Sequence, residues 1–414
     1  MSETTSRENR QICIPFSQPD YMKTVFDPLG FRAHMDEQIA RFPELFPVDI
    51  ANGYKMKDIY HSKKLSIPIR RIEVADIAYT VRPSFVMPYM VGLVENIEKS
   101  LFLRKFSVPF WGLAYVFGRD PMYWYRIECS LGRNSIVGTT INDPNQLPQH
   151  LTGDEKHSWI LGNKVYIATT VSEGCIFGVS VAEDAGEASL TQAYGVFKGE
   201  AQCIKPDYKP FTVNTDGWTA TQNAWKILFP SIVLISCFLH LFIKMRDGAQ
   251  KKHRSAFLEA ATKLWDCYHA VTRGSFSQRV RRLAEWAERS ALQDVISKPI
   301  QKLKNNLQGY AIAYAFPGAH RTSAMLDRLM QSMDRHLFST RYFHGTIAAA
   351  ELNIRGWSLI VNFAPFNPMT IKKHNGYRSP AERLNKQRYH DNWLQNLLIS
   401  ASLGGRRGPP LNPL

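Results

Sequence analysis

Residues 156–181, KHSWILGNKVYIATTVSEGCIFGVSV, decide the fold class. Three strand-like runs (KHSWILG, KVYIATTV, CIFGVSV) are separated by turn signals at Asn163 and at Ser172-Glu173-Gly174, the pattern of a β-meander. Working forward, residues 187–199 (EASLTQAYGVFKG) read as a helix and 211–218 (FTVNTDGW) as a strand ending in a polar turn. Residues 219–229 (TATQNAWKILF) then read as a helix and 231–237 (SIVLISC) as a buried strand. The order βββαβαβ specifies an α/β protein with one mixed sheet, partly antiparallel and partly parallel.

Working backward, the acidic segment 141–153 (INDPNQLPQHLTG) reads as a linker. Upstream, Phe85, Met87, Met90, Val91, Val94, Ile97 and Leu101 recur at helical spacing. PFWGLAYVF (109–117) is a second helix, stopped by Gly118, and Pro121 opens a third that contains MYWYRIECS. RNSIVGTTI (133–141) closes the series. Short helices with glycine-containing turns, the last rich in small polar side chains, suit a helix-turn-helix over 81–145. Asn134, Ser135, Thr139 and Thr140 would then face base edges while Arg126 and Arg133 hold phosphates; a plain packing bundle is the alternative. Residues 1–80 carry scattered apolar positions with turn signals and read as a small helical unit.

Charge separates the two ends of the chain. Of 414 residues, 51 are Lys or Arg and 36 are Asp or Glu, a net of +15. Residues 1–240 hold 24 basic and 25 acidic side chains, a net of −1, and residues 241–414 hold 27 and 11, a net of +16. Residues 240–316 read as helical and strongly basic (KKHR, RVRR, KPIQKLK). A concentrated positive charge of this kind points to a polyanion. Thr322 or Ser323 caps a further helix running to about Phe338, and the last 11 residues (GGRRGPPLNPL) read as an extended tail. Collagenous, disulfide-rich and wholly disordered classes are excluded by 44% hydrophobic and 21% charged residues and by six dispersed cysteines. The polar N-terminus carries no signal-peptide pattern, and a reducing cytosol is the expected compartment. The apolar run Ile227–Ile243 is at the short limit for a membrane span and carries Pro230 and His240, so a strand running into a helix is the preferred reading.

Three carboxylates stand out by position. Asp154 opens the meander, Asp216 ends the next strand, and Asp327 lies in the first turns of the helix after Ser323. The first and fourth strands of such a sheet are neighbours, and a helix beside them can bring a third acid close. Hard divalent cations want such oxygen donors, and a pair of ions can activate a water or a 3′-hydroxyl for in-line displacement at phosphorus.

TDGW at 215–218, FPSIVLISCFLH at 229–240 with Cys237 and His240 in a Cys-x2-His spacing, a long helical stretch, and TSAMLDRL at 322–329 together resemble the Mutator-like insertion-sequence transposases. FHGT and ELNIRGWSLIVNFAPFNP (343–346 and 351–368) are similar to the tail of a bacterial transposase. The resemblance covers about 150–340 and implies an RNase H-like DDE core at 150–245. An all-α basic insertion at 246–318, closing helices at 319–400 and a tail at 401–414 would follow, behind an α-helical N-terminal DNA-binding region. It implies a DNA transposase that cleaves element ends and joins 3′-OH ends to target DNA with two Mg²⁺ ions, Mn²⁺ substituting. The metal ligands would be Asp154, Asp216 and Asp327, with His240 turned to the pocket or the scissile phosphate.

The family has Glu at the third acid and Asn three residues before it, where this chain has Asp327 and Ala324. Glu351 and Asp334 stay open as alternatives for that acid, and a catalytically inactive, transposase-derived DNA-binding protein is the alternative function. Double-stranded DNA is the expected partner, held by Lys156, Lys251, Lys252, Arg254, Arg281 and Arg282 as well as the N-terminal residues. A homo-oligomer, at least a dimer on DNA, and a bacterial cytoplasmic, nucleoid-associated location follow from the resemblance, with no membrane partner. Cys237 and His240 are also half of a zinc pattern, with Cys267 and His269 the nearest complement. Glu155 reads as a surface acid on the opposite face of the strand, and Trp218 and Trp225 either stack on a flipped base or pack in the core.

Overall fold

A computed structural model of the protein describes residues 10–406 apart from Lys64, Tyr89, Val91 and Ala291. The chain opens with β1 (Gln11–Ile14), α1 (Gln18–Thr24), α2 (Pro28–Arg41), β2 (Lys55–Ser62), β3 (Ile67–Val74) and β4 (Ile77–Pro83). These strands form a four-stranded sheet in the order β1-β4-β3-β2, with β1 parallel to β4 and the other pairs antiparallel. The helical unit expected over 1–80 is therefore half sheet. On β3, Pro68, Arg70, Ile72 and Val74 alternate on the fully buried face, with Ile67 and Ile69 buried on the other.

Next come α3 (Val94–Lys105), α4 (Phe110–Phe117), α5 (Pro121–Leu131) and the short α6 (Ile136–Thr140). Helical structure starts only at Val94, so Phe85 and Met87 belong to the preceding irregular segment, and Val91 lies outside the described residues. Asp120 caps α5, its side chain accepting from the Met122 N–H, and Pro121 occupies the first turn as expected.

The main sheet follows: β5 (His150–Ile160), β6 (Asn163–Ser172), β7 (Cys175–Ala182), α7 (Glu187–Ile204), β8 (Thr212–Thr215), α8 (Thr219–Leu228) and β9 (Val233–Ser236). Its order is β7-β6-β5-β8-β9. The meander β5-β6-β7 is antiparallel, while β5-β8 and β8-β9 are parallel, so β5 and β8 are neighbours at the centre. The sheet is mixed, as the element order requires. The apolar run 227–243 is divided between α8, β9 and the following helix. Among the described residues, no helix is long and apolar enough to cross a membrane.

From β9 the chain passes into α9 (Phe238–Ala249), α10 (Arg254–Tyr268), α11 (Arg273–Arg289), α12 (Asp294–Asn305) and α13 (Leu307–Ala311). These helices have their own core, with Phe238, Leu241, Met245, Leu264, Phe276, Leu283, Ile296 and Ile300 buried together. The helical stretch, expected as a unit from residue 246, begins at Phe238. Lys251, Lys252, Arg254, Arg281 and Arg282 are all exposed on it.

The chain closes with α14 (Ala324–Ser339), α15 (Ile347–Phe363), α16 (Pro368–Lys373), α17 (Pro380–Asn385) and α18 (Trp393–Ser400). Most of α15 is buried, packed against α5 on one side and β7 on the other. Its approach to α5 demands glycine: a Cβ at Gly356 would lie 2.1 Å from the Glu128 carbonyl oxygen, and one at Gly132 would lie 2.0 Å from that of Leu352. Buried side chains of the N-terminal sheet, of α3 and α5, of β5–β7 and of α14, α15 and α18 form one continuous core. The expected tail begins with a buried 3₁₀ turn, Ser402–Gly405, against β1, where Ser402 Oγ accepts from the Cys13 N–H (3.1 Å) and donates to the Leu45 carbonyl (2.6 Å). Residues 407–414 of that tail lie outside the described residues.

Candidate metal centre

Asp154 stands midway along β5, flanked by two contacts that fix the strand to α8. At Gly153, a Cβ would lie 2.8 Å from the Trp225 indole nitrogen, so only glycine lets that ring pack against the strand. At Glu155, Oε1 accepts from the Tyr194 hydroxyl (2.7 Å) and the Thr221 hydroxyl (2.6 Å). Glu155 is therefore not the surface acid its sequence context suggested. Burial pushes its carboxyl up to about 7, although both hydroxyls pull the other way. Trp225 is a core residue, while Trp218 is half-buried beside Tyr166.

On the other face of the sheet, His240 projects from the first turn of α9 and Asp327 from the first turn of α14. Ligand atoms of Asp154, His240 and Asp327 all lie within 4.8 Å of one another. His240 Nε2 is 3.6 Å from an Asp154 carboxylate oxygen. The start of α14 is held by Ser323, but not as a conventional cap. Its Oγ donates to Asp327 (2.7 Å), and its N–H donates to the Cys237 sulfur (3.2 Å). Cys237 is thus a packed thiol that joins the two helix starts, and among the described residues no zinc-type grouping with Cys267 or His269 forms.

Asp216 ends β8 beside β5. One of its carboxylate oxygens accepts from the Trp218 N–H (2.7 Å), and Gly217 takes a φ of +92° in that tight turn. Asp216 is outside the close group of three, yet its charge acts on Asp154. Burial raises the Asp154 carboxyl to about 6; the His240 charge opposes that rise, and the Asp216 and Asp327 carboxylates reinforce it. Burial by itself would lower His240, but its neighbours Cys237, Asp154 and Asp327 raise it to about 9. At neutral pH the imidazole is a cation facing the carboxylates. Since His240 favours ionised Asp154, His240→Ala should move the Asp154 midpoint upward from about 6, a shift read by carboxyl ¹³C NMR in metal-free protein.

The other acids weighed for the third position have different partners. Asp334 binds the Lys156 ammonium (2.7 Å), and Glu351 accepts from the Ser180 hydroxyl and the Val181 N–H (3.2 Å), anchoring α15 to β7. Lys156 is therefore half-exposed and already paired rather than open.

The helix-turn-helix expectation divides. Arg126 and Arg133 are exposed. Asn134, Ser135, Thr139 and Thr140 are buried and cannot reach a base edge. Ser135 caps α6 and donates to Glu200 on α7 (3.0 Å), its N–H binds the Gly404 carbonyl (2.8 Å), and Thr140 Oγ1 accepts from Asn362 (3.0 Å). Their small polar side chains serve α6 packing, so α6 is an internal strut.

Sequence reasoning missed a second polar cluster, wholly buried between α3, α5, α14 and α15. Arg104 Nε donates to Glu128 (2.6 Å) and another Arg104 nitrogen to His336 Nδ1 (3.0 Å). His336 Nε2 meets Asn353 Oδ1 at 3.2 Å, and Asn353 donates back to Glu128 (2.8 Å). Since Arg104 can only donate, His336 Nδ1 is the acceptor and its proton sits on Nε2. Neither models of known protein families nor the sequences of curated proteins match this chain.

Proposed function

We propose that the protein is a metal-dependent DNA transposase whose RNase H-like core cuts element ends and transfers the 3′-hydroxyls to target DNA. One observation carries this reading: Asp154, His240 and Asp327, distant in sequence, converge within 4.8 Å beside the strand that ends in Asp216. The strand order β7-β6-β5-β8-β9, with only β6 reversed, supports the RNase H-like assignment.

The donor set fits a hard divalent cation, since the Asp154 and Asp327 carboxylates converge within 4.8 Å beside His240, and Asp216 follows the neighbouring strand. Asp154, Asp327 and Asp216 are the residues to hold Mg²⁺ or Mn²⁺. When bound, such ions supply Lewis-acid activation and charge stabilisation at phosphorus. The chain's own part is positional. β5 and α14 fix two carboxylates, the β8–α8 turn brings the third, and the His240 cation is placed to donate to a phosphate oxygen. No covalent protein intermediate is needed, because water and the DNA 3′-hydroxyl are the nucleophiles.

The exposed basic residues Lys251, Lys252, Arg254, Arg281 and Arg282 are the phosphate-holding surface. Double-stranded DNA is the substrate, and two ends per reaction imply at least two protomers on it. Duplex affinity should fall steeply with salt, and Arg281→Gln should weaken all sequences alike and reduce the slope of log K against log salt by about 0.9. Fluorescence anisotropy at several salt concentrations reads this directly.

The functional test uses a supercoiled plasmid carrying the gene with its native flanks. Nicking or excision at the flanks with Mg²⁺ or Mn²⁺, blocked by EDTA, is the expected result. Duplex binding with no cleavage in either metal would favour a binding protein descended from a transposase, the reading that Asp327 and Ala324 motivate.

A further inference from the structure

Asp154 has a neighbour on each side, and both lock the same helix. Gly153 admits the Trp225 ring, and Glu155 receives the Thr221 hydroxyl. Trp225 and Thr221 both belong to α8, the helix that begins directly after Asp216-Gly217-Trp218. Strand alternation puts Glu155 on the face opposite Asp154, toward α7 and α8.

There an apolar side chain would pack without the cost of burying a carboxyl group. What the carboxyl adds is direction. Tyr194 is 1% exposed and Thr221 0% exposed, and both hydroxyls converge on the one oxygen Oε1. Losing the acceptor would orphan two buried donors. Asp216 is tied in turn to the start of α8 through the Trp218 N–H (2.7 Å). A short linkage therefore runs from Asp154 through the Glu155 backbone and carboxyl to Thr221, along one turn of α8, and back to Asp216.

We propose that Glu155, Tyr194 and Thr221 form a positioning clamp that sets the separation of Asp154 and Asp216 from the face of the sheet away from the ion. This rests on the metal-site reading above. Glu155 and Thr221 are positioning residues: they touch neither ion nor DNA, and they act through Asp216. The contact needs an acceptor oxygen of fixed place rather than a charge, since a glutamine carbonyl can accept both hydroxyls.

The probe is Mn²⁺ alone, titrated into the full-length protein by calorimetry, with the thermal midpoint of each variant recorded. Thr221→Val should weaken Mn²⁺ binding about 10-fold, whereas Thr221→Ser and Glu155→Gln should stay within about 3-fold of wild type. Because the clamp works through Asp216, Thr221→Val should add nothing further in an Asp216→Asn background. Thr221→Ala carries the same expectation and serves if the valine variant misfolds.

Wild-type affinity in folded Thr221→Val or Thr221→Ala, an additive loss with Asp216→Asn, or a Glu155→Gln loss as large as that of Thr221→Val would each overturn the clamp. Wild-type protein that takes up no Mn²⁺, or an Asp154→Asn variant that binds it unchanged, would overturn the metal site itself and the clamp with it.

Discussion

Asp154→Asn, Asp216→Asn and Asp327→Asn are each expected to reduce metal-dependent DNA cleavage by about 10³-fold or more while leaving duplex affinity intact. Ion-borne charge stabilisation is worth several kcal/mol, and every 1.36 kcal/mol is tenfold in rate. The exposed basic residues of α10 and α11 and the turn before them, remote in sequence from these acids, are the ones proposed to carry the binding. Asp327→Glu should keep partial activity, since the residue sits in the first turn of α14 and one more methylene can be absorbed there. Glu351→Gln should leave metal binding untouched and loosen α15 instead, because its partners are Ser180 and Val181 on β7. Gel assays of plasmid cleavage beside anisotropy binding separate these outcomes. An active Asp327→Asn protein would remove α14 from the site.

The largest stability effect should come from the buried cluster. Arg104→Met strands the Glu128 carboxylate, 0% exposed, without its cation, and should cost about 3–5 kcal/mol in chemical denaturation. The cluster also predicts an acid dependence. Burial, aided by the Arg104 charge, holds the His336 imidazole well below its usual range. Below about pH 6.5 the unfolded chain binds a proton there that the folded chain refuses. This contribution to stability is therefore complete above pH 6.5 and is lost as pH falls, by up to about 1.4 kcal/mol per unit. Denaturation of wild type and His336→Gln at pH 7.5 and 5.5 reads the difference. A smaller pH dependence in the variant is the expected sign.

The main sheet was legible because its strands are apolar and bounded by turn residues. Glu173-Gly174 and the Asp216-Gly217 turn each follow a strand, and the first hairpin turns at Leu161-Gly162, just before the expected Asn163. The N-terminal sheet was not. β2 (KMKDIYHS) is mostly exposed and β3 (IPIRRIEV) hides its alternation behind Arg70 and Arg71, Arg70 being buried with its guanidinium on the Val25 carbonyl. At the site, the three acids could be chosen from strand and helix positions. The choice of Asp327 over Asp334 and Glu351 depends on partners that only folding reveals. Asn134, Ser135, Thr139 and Thr140 misled for a related reason. Small polar side chains look alike in sequence whether they read DNA or satisfy a buried cap. Glu155, Arg104 and Glu128 are the same problem with charge, since each buried acid or base here is licensed by a partner far away in sequence.

The turn at Ser402 has a consequence in time. Its hydroxyl completes hydrogen bonds to Cys13 and Leu45, and the Cys13 contact spans 389 positions of chain. At synthesis rates of about 5–20 residues per second, the ribosome makes the first of these partners about 20–80 s before the last. During that interval β1 lacks its final seat, and α18, which packs on β1 and α3, has not been made. The N-terminal sheet is thus finished only after Ser402 has been made. A nascent copy that has not yet reached Ser402 carries an incomplete scaffold, so the first strand waits for a contact made 389 positions later.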